Sequence, residues 1–221
     1  MSNESKPYRI VVLASGRGSN FEEIARSIQD NDWNIEVSAL LSDQAEAGAL
    51  EVAKRFKIPS KLIEKKDLKK KEYFTELVSE VTKHDPDLIV LAGFMRVISG
   101  NFIQKFRHRI INIHPSLLPS FKGLNAPRQA LDAGAHVSGC TVHLVNEEID
   151  SGAILGQAVV PVLSGDDLDS LQKRILAQEH ILLPKIIHKL STGEIVVSLN
   201  GSVDFKDSRN SDPDLAIQSL K

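Results

Sequence analysis

The most constraining feature of the sequence is a set of short, almost uninterrupted apolar runs interleaved with segments of helical spacing. YRIVVLA (8–14) and DLIVLAG (87–93) are nearly continuous apolar runs that lack the alternation of a half-exposed strand, and IEVSALLS (35–42) also reads as a strand. The first two read as strands buried on both faces. Between them, NFEEIARSIQ and AGALEVAKRF read as helices and SKLIEK as a short strand. A longer helix is expected from about residue 67 to 84, with Tyr73, Leu77 and Val81 on one stripe. Strand, helix and strand repeated in this way imply right-handed crossovers and an α/β fold. The expectation is an open, mostly parallel, twisted sheet covered by helices on both faces. Aromatic residues make up only 5% of the chain, so the core must rest on Ile, Val and Leu.

The run IINIHPSLLPSFKG (110–123) interrupts this pattern. An apolar strand ends in Asn112, Ile113, His114 and Pro115, and a second proline, Pro119, follows closely. Proline cannot donate to a ladder, so the strand must stop there. Asn112 and His114 are two residues apart and therefore share one face. They lie at a strand's carboxyl end, where open α/β sheets place their ligands. A carboxamide and an imidazolium there can stabilise an oxyanion forming on a carbonyl carbon. The same pair can also belong to a purely structural turn.

Beyond Pro119, HVSGCTVHLV (136–145) and AILGQAVVPV (153–162) are strand-like and separated only by NEEIDSG. So short a gap suits antiparallel neighbours, so the C-terminal part should carry antiparallel strands. A last helix is expected from near Asp166, with Leu168, Leu171, Ile175 and Leu182 on one stripe and a kink at Pro184. We expect a single domain over residues 1–201, and a loosely held tail over 202–221, where the sequence turns polar and broken.

Two further stretches can carry chemistry. ASGRGSN (14–20) joins the first strand to the first helix. Its glycines permit tight backbone geometry, and Ser19 and Asn20 can cap the helix. Such a helix start attracts phosphate, although no Gly-Lys-Ser/Thr follows and Phe21 replaces the third glycine of a dinucleotide fingerprint. NEEIDSG places Asp150 before Ser151-Gly152, an ordinary turn signal. If that loop folds over the strand end, Asp150 becomes a carboxylate partner that favours the protonated, donating form of His114. His143 lies on a neighbouring strand, either behind those residues or in plain packing. His114, His143 and Asp150 could also be a two-histidine, one-carboxylate metal set, but that leaves neutral Asn112 without a purpose.

The formal net charge is −2, and no basic, aromatic-interleaved block suits nucleic acid. The lysine-rich stretch 65–71 reads as a solvated helix start. A lone cysteine, Cys140, fits a reducing compartment. Neither a leader-like apolar region nor a run long enough to span a membrane is visible, so a cytoplasmic protein is expected.

Together, VVLASGRGSN, DLIVLAGFMRVIS, IINIHPSLLPSFKG, GCTVHLVNEEIDSG and ILAQEH resemble, in that order, the phosphoribosylglycinamide formyltransferases of the formyltetrahydrofolate-using enzymes. The resemblance implies a Rossmann-like formyltransferase fold. It also implies transfer of the formyl group of 10-formyltetrahydrofolate to the amine of 5-phosphoribosylglycinamide in purine biosynthesis. Asn112, His114 and Asp150 match the family's catalytic residues. Gly18, Ser19, Asn20 and Glu179 match positions that hold the ribonucleotide. Met95, Arg96, Val97 and Ile98, with Val145, Glu148 and Asp150 and also Asn112, match the surroundings of the folate, and Lys70 matches a basic position near its tail. After Gly123, LNAPRQAL carries Asn125 and Pro127 where relatives often have histidines. The implied partners are small molecules and the implied assembly a monomer or homodimer, with no metal. Two rivals share part of the pattern. A formyltetrahydrofolate deformylase would use the same trio with water as acceptor. A non-catalytic nucleotide-binding regulatory module would use the glycine loop alone.

Overall fold

The computed structural model describes residues 6–66 and 68–206. They divide after Ile110 into two compact units. The first unit holds β1 (Tyr8–Leu13), α1 (Ser19–Asp30), β2 (Ile35–Ser42), α2 (Gly48–Arg55), β3 (Ser60–Leu62), α3 (Lys70–Lys83), β4 (Leu88–Leu91) and α4 (Gly100–Lys105). β1 is central, with Val12 opposite Leu40 of β2 on one side and Val90 of β4 on the other. All three pairings, β1 with β2, β1 with β4 and β2 with β3, are parallel. Ile10, Val11, Val12 and Leu13 are fully buried, which is why this run is apolar at every position. Tyr73, Leu77 and Val81 form the buried stripe of α3, as their spacing requires. α4 has no long apolar stripe to announce it. It starts at Ser99, whose hydroxyl accepts the Phe102 amide at 3.4 Å.

The second unit holds β5 (Ile110–His114), α5 (Ala126–Asp132), β6 (Val137–Leu144), β7 (Ile154–Pro161), α6 (Leu168–Thr192), β8 (Ile195–Val197) and β9 (Val203–Phe205). β5 pairs antiparallel with β6, and β6 with β7. The strands of the first unit follow the order β3-β2-β1-β4 and the larger strands of the second the order β5-β6-β7, while β8 pairs antiparallel with β9 in a small separate sheet.

Several expectations change. Ser19 and Asn20 do not cap α1: the N-cap is Gly18, in the left-handed region at φ 81°, and no side chain caps the helix. Within LNAPRQAL, a helix that the sequence reading did not include, α5, begins at Ala126 with Asn125 as its left-handed N-cap and Pro127 in the first turn, where a missing N–H costs nothing. The last expected helix is α6, 25 residues long with Pro184 inside it. At the start of the expected tail, Val203–Phe205 pairs with β8. The remainder of that tail, 207–221, lies outside the described residues, as does Asp67, where the long helix was expected to begin.

Candidate active site

One face of the β5–β6 ladder carries the polar cluster of the second unit. Asn112 pairs with His143 and His114 with Thr141, so the two-residue period puts all four side chains on the same side. His143 is buried, and its Nδ1 lies 2.8 Å from the Leu144 carbonyl oxygen. A carbonyl only accepts, so the proton sits on Nδ1, and Nε2 is free to accept from the Asn112 amide at 3.3 Å. Burial holds the His143 pKa below its usual range, and the bond to Leu144 together with the Asp150 charge only partly offsets that. His143 is therefore a neutral acceptor that fixes which way the Asn112 carboxamide points.

His114 is clamped on both edges. Nε2 donates to the Phe121 carbonyl oxygen at 2.9 Å, and Nδ1 faces Asp150 Oδ2 at 3.3 Å. A ring protonated on both nitrogens satisfies both acceptors. Asp150 also accepts the Gly123 amide on Oδ2 at 2.8 Å, and its Oδ1 lies 3.6 Å from His143 Nε2. The turn signal in NEEIDSG is genuine as well. Asp150 has φ 49°, and a Cβ at Gly152 would collide with the Leu144 carbonyl oxygen. The residues that look like an ordinary turn are thus the ones that bring a carboxylate to His114. Lys122 ties the same loop down, donating to Ser151 Oγ at 2.6 Å.

A support that the sequence does not announce lies beneath. Thr141, fully buried, donates to the Ser116 carbonyl at 2.6 Å and accepts from the Leu118 amide at 3.1 Å and from Gln157 Nε2 at 3.0 Å. Gln157 also donates to the Leu118 carbonyl at 2.9 Å. The prolines stop the strand, but these two side chains hold the following turn in place. A Thr and a Gln at alternate-strand positions are too common to be singled out from one sequence.

In the first unit, Gly16 and Arg17 are exposed at the turn into α1, Gly18 is buried, and Ser19 and Asn20 are half-buried. A Cβ on Gly18 would sit 2.6 Å from Ala49 Cα, so this glycine is demanded by the close approach of α2 as well as by its φ. The segment after β4 alternates: Met95 and Val97 are exposed at 73% and 61%, while Ile98 is buried. Arg96 turns inward, its Nε 2.6 Å from Asp43 Oδ2 and its guanidinium 5.0 Å from the centre of the Tyr73 ring. Of these four residues, Met95 and Val97 present exposed apolar side chains. Lys70 is exposed at the start of α3. In the second unit Glu179 is buried on α6, Val145 is half-buried and Glu148 exposed.

The sequence model of the family described as "Formyl transferase" matches residues 8–187. The chain belongs to the formyl transferase family. Among curated formyl transferase relatives, the phosphoribosylglycinamide formyltransferase of Bacillus subtilis is 39% identical over 183 residues, covering 82% of this chain and 94% of that protein. The human trifunctional purine biosynthetic protein adenosine-3 is 39% identical over 203 residues. That match covers 91% of this chain but only 20% of the longer protein, so the chain spans about a fifth of that relative. The crystal structure of phosphoribosylglycinamide formyltransferase from Anaplasma phagocytophilum superposes with a TM-score of 0.86 at 40% identity, covering 97% of this chain and 100% of that one. The α/β fold with its mostly parallel sheet is accordingly the formyl transferase fold. Among the described residues, no helix is long and apolar enough to cross a membrane.

Proposed function

We propose that this formyl transferase moves the formyl group of 10-formyltetrahydrofolate to the amine of 5-phosphoribosylglycinamide, giving formylglycinamide ribonucleotide and tetrahydrofolate. The observation that carries the reading is the cluster of Asn112, His114 and Asp150, held by backbone and buried side chains in a chain so similar to proteins of that name. Attack of the neutral amine on the formyl carbon forms a tetrahedral centre bearing an oxyanion. Asn112, with one amide hydrogen engaged by His143, has a second to offer that oxygen. A well-placed donor of this kind is worth about 3–4 kcal/mol. The Phe121 carbonyl fixes the Nε2 edge of His114, so the Nδ1 proton, shared with Asp150, is the one that answers the reacting atoms. Asp150 keeps that proton available and relays the proton lost by the amine to the leaving N10, directly or through water. The C–N bond to the amine forms as the bond to N10 breaks, and no covalent enzyme intermediate is needed.

The loop at Gly18, Ser19 and Asn20 suits the ribonucleotide phosphate, because α1 opens on a glycine with the positive end of its macrodipole at that point. Glu179 is assigned to the ribonucleotide and Lys70 to the acidic tail of the folate. Met95, Val97, Val145 and Glu148 are assigned to its ring. Arg96 and Ile98, the other two folate-wall positions, hold the segment from within. All of this chemistry concerns small molecules, and we place it in the cytoplasm, in a monomer or homodimer.

The deciding experiment is an absorbance assay of folate turnover with and without glycinamide ribonucleotide. Turnover that depends on the amine is expected. Formate release at a comparable rate without it would overturn the transferase reading in favour of a deformylase.

A further inference from the structure

Asp43 follows β2 directly, and its side chain is 1% exposed. A carboxylate so deeply buried needs compensation. Gln44 donates to Oδ2 at 3.1 Å, and Oδ1 has no hydrogen-bond partner among the described residues. The compensating charge is Arg96, whose Nε lies 2.6 Å from Oδ2. Arg96 is in turn laid against the ring of buried Tyr73 on α3. Three elements, the end of β2, α3 and the segment after β4, are thus joined through one guanidinium.

A second anchor acts on the same segment. The β1–β4 ladder runs past the strand ends: Leu13 O accepts from Ala92 N at 2.9 Å, and Ser15 N donates to Gly93 O at 3.1 Å. Ser15 Oγ then accepts from Met95 N at 2.9 Å. Between these two anchors the backbone of 95–97 has little freedom, although both outward side chains, Met95 and Val97, are exposed. An exposed apolar pair on an immobilised backbone is what a flat ligand ring requires: the ordering cost is met before binding.

We infer that Asp43, acting through Arg96, is a positioning residue for the Met95–Val97 wall, and so sets affinity for the ring of the folate co-substrate. This rests on the reading of 95–97 as that wall, and it goes beyond it by assigning the role to a buried carboxylate outside the wall. Arg96 is then a structural cation and not a ligand for the substrate's own carboxylates. Its loss would release the wall and strand a buried charge at once.

Calorimetric titration with tetrahydrofolate tests this in the full-length chain, with 5-phosphoribosylglycinamide titrated in parallel. Wild-type protein must bind tetrahydrofolate; if it does not, the proposed function fails before the inference is reached. Given that binding, Asp43→Asn should raise the tetrahydrofolate Kd about tenfold, the scale on which loss of a supporting contact weakens a site, and leave ribonucleotide affinity within twofold. Asp43→Glu, which restores the charge, should recover most of the loss. Arg96→Gln should match Asp43→Asn, and the double variant should be no weaker than either single one, because both break the same link. Unchanged tetrahydrofolate affinity in Asp43→Asn, or additive losses in the double variant, would overturn the inference. If Asp43→Asn does not fold, Ser15→Ala removes the other anchor and should raise the same Kd. An unchanged Kd there would overturn it equally.

Discussion

Asn112 stands directly opposite His143 across the β5–β6 ladder, and the amide of one is 3.3 Å from Nε2 of the other. Because His143 gives its only ring proton to Leu144, the contact has one direction: asparagine donates and histidine accepts. His143→Phe keeps the volume but removes the acceptor. It should lower kcat about tenfold or more through a freed Asn112, while His143→Gln, whose side-chain oxygen can accept, should retain most of the activity. Steady-state kinetics on the pair checks this, and a His143→Phe enzyme with normal kcat would reduce His143 to packing. The same burial has a pH signature. His143 is held neutral in the fold below its ordinary pKa of about 6.5, where the unfolded chain gains a proton. Below that pH the unfolded state therefore binds more protons, so this group removes stability as pH falls. Urea unfolding at pH 7.5 and 5.5 should show a smaller acid loss in His143→Gln than in wild type.

Asp150 reaches His114 Nδ1 at 3.3 Å and is itself held by the Gly123 amide. Asp150→Asn preserves shape and can still accept from Gly123, but it carries no charge and cannot take a proton. A loss of at least about 10²-fold in kcat is expected, the lower scale for removal of acid–base assistance, with ribonucleotide affinity nearly unchanged. A variant retaining near-normal kcat across pH would leave Asp150 as a turn residue only.

The two glycines of the first loop should separate binding from folding. At Gly18 an added Cβ meets the backbone of Ala49 and a φ of 81°, so Gly18→Ala should destabilise the protein by about 1–3 kcal/mol, the usual cost of a forced backbone conformation. At Gly16 the added atom has no protein atom within 4 Å, so Gly16→Ala should fold normally. If the ribonucleotide phosphate approaches the backbone there, its Kd should rise in Gly16→Ala while tetrahydrofolate affinity stays constant. Thermal unfolding and calorimetry distinguish the two, and equal ribonucleotide affinity in Gly16→Ala would move the phosphate elsewhere.

Thr141→Val is a near-isosteric change that leaves the Ser116 carbonyl and the Leu118 amide without their shared hydroxyl. Each buried group left unsatisfied costs about 1–3 kcal/mol, so a loss of roughly 2 kcal/mol or more is expected in urea unfolding. Activity should fall beyond what the unfolded fraction explains, because the turn that carries Phe121, the partner of His114 Nε2, is built on those bonds. Thr141→Ser should restore both properties.

The sequence by itself determined the strands β1 to β7 and their order of appearance. Residues 10–14 and 88–92 are apolar at consecutive positions, and only a strand covered on both faces makes that pattern favourable. It also determined that Asn112 and His114 share a face, since the period of a strand is a local property, and that β6 and β7 are antiparallel, since their connection is too short for a crossover. α4 and α5 escaped because short helices carry too few turns for a stripe to show, and α5 starts at an asparagine and a proline that also suit a loop. Only the tertiary structure decided the rest. Arg96, grouped by sequence with three apolar wall residues, turns inward because Asp43, 53 positions earlier by number, needs its charge. Gly18 is a glycine because Ala49 approaches it, and Asp150 is both turn residue and carboxylate partner because Gly152 lets that turn lie against Leu144. The directions of two ring protons in the cluster, from His143 Nδ1 to Leu144 and from His114 Nε2 to Phe121, are set by backbone carbonyls. Local periodicity reports which face a side chain occupies. Which acceptor waits on that face depends on segments far away in the chain, and no short-range pattern encodes it.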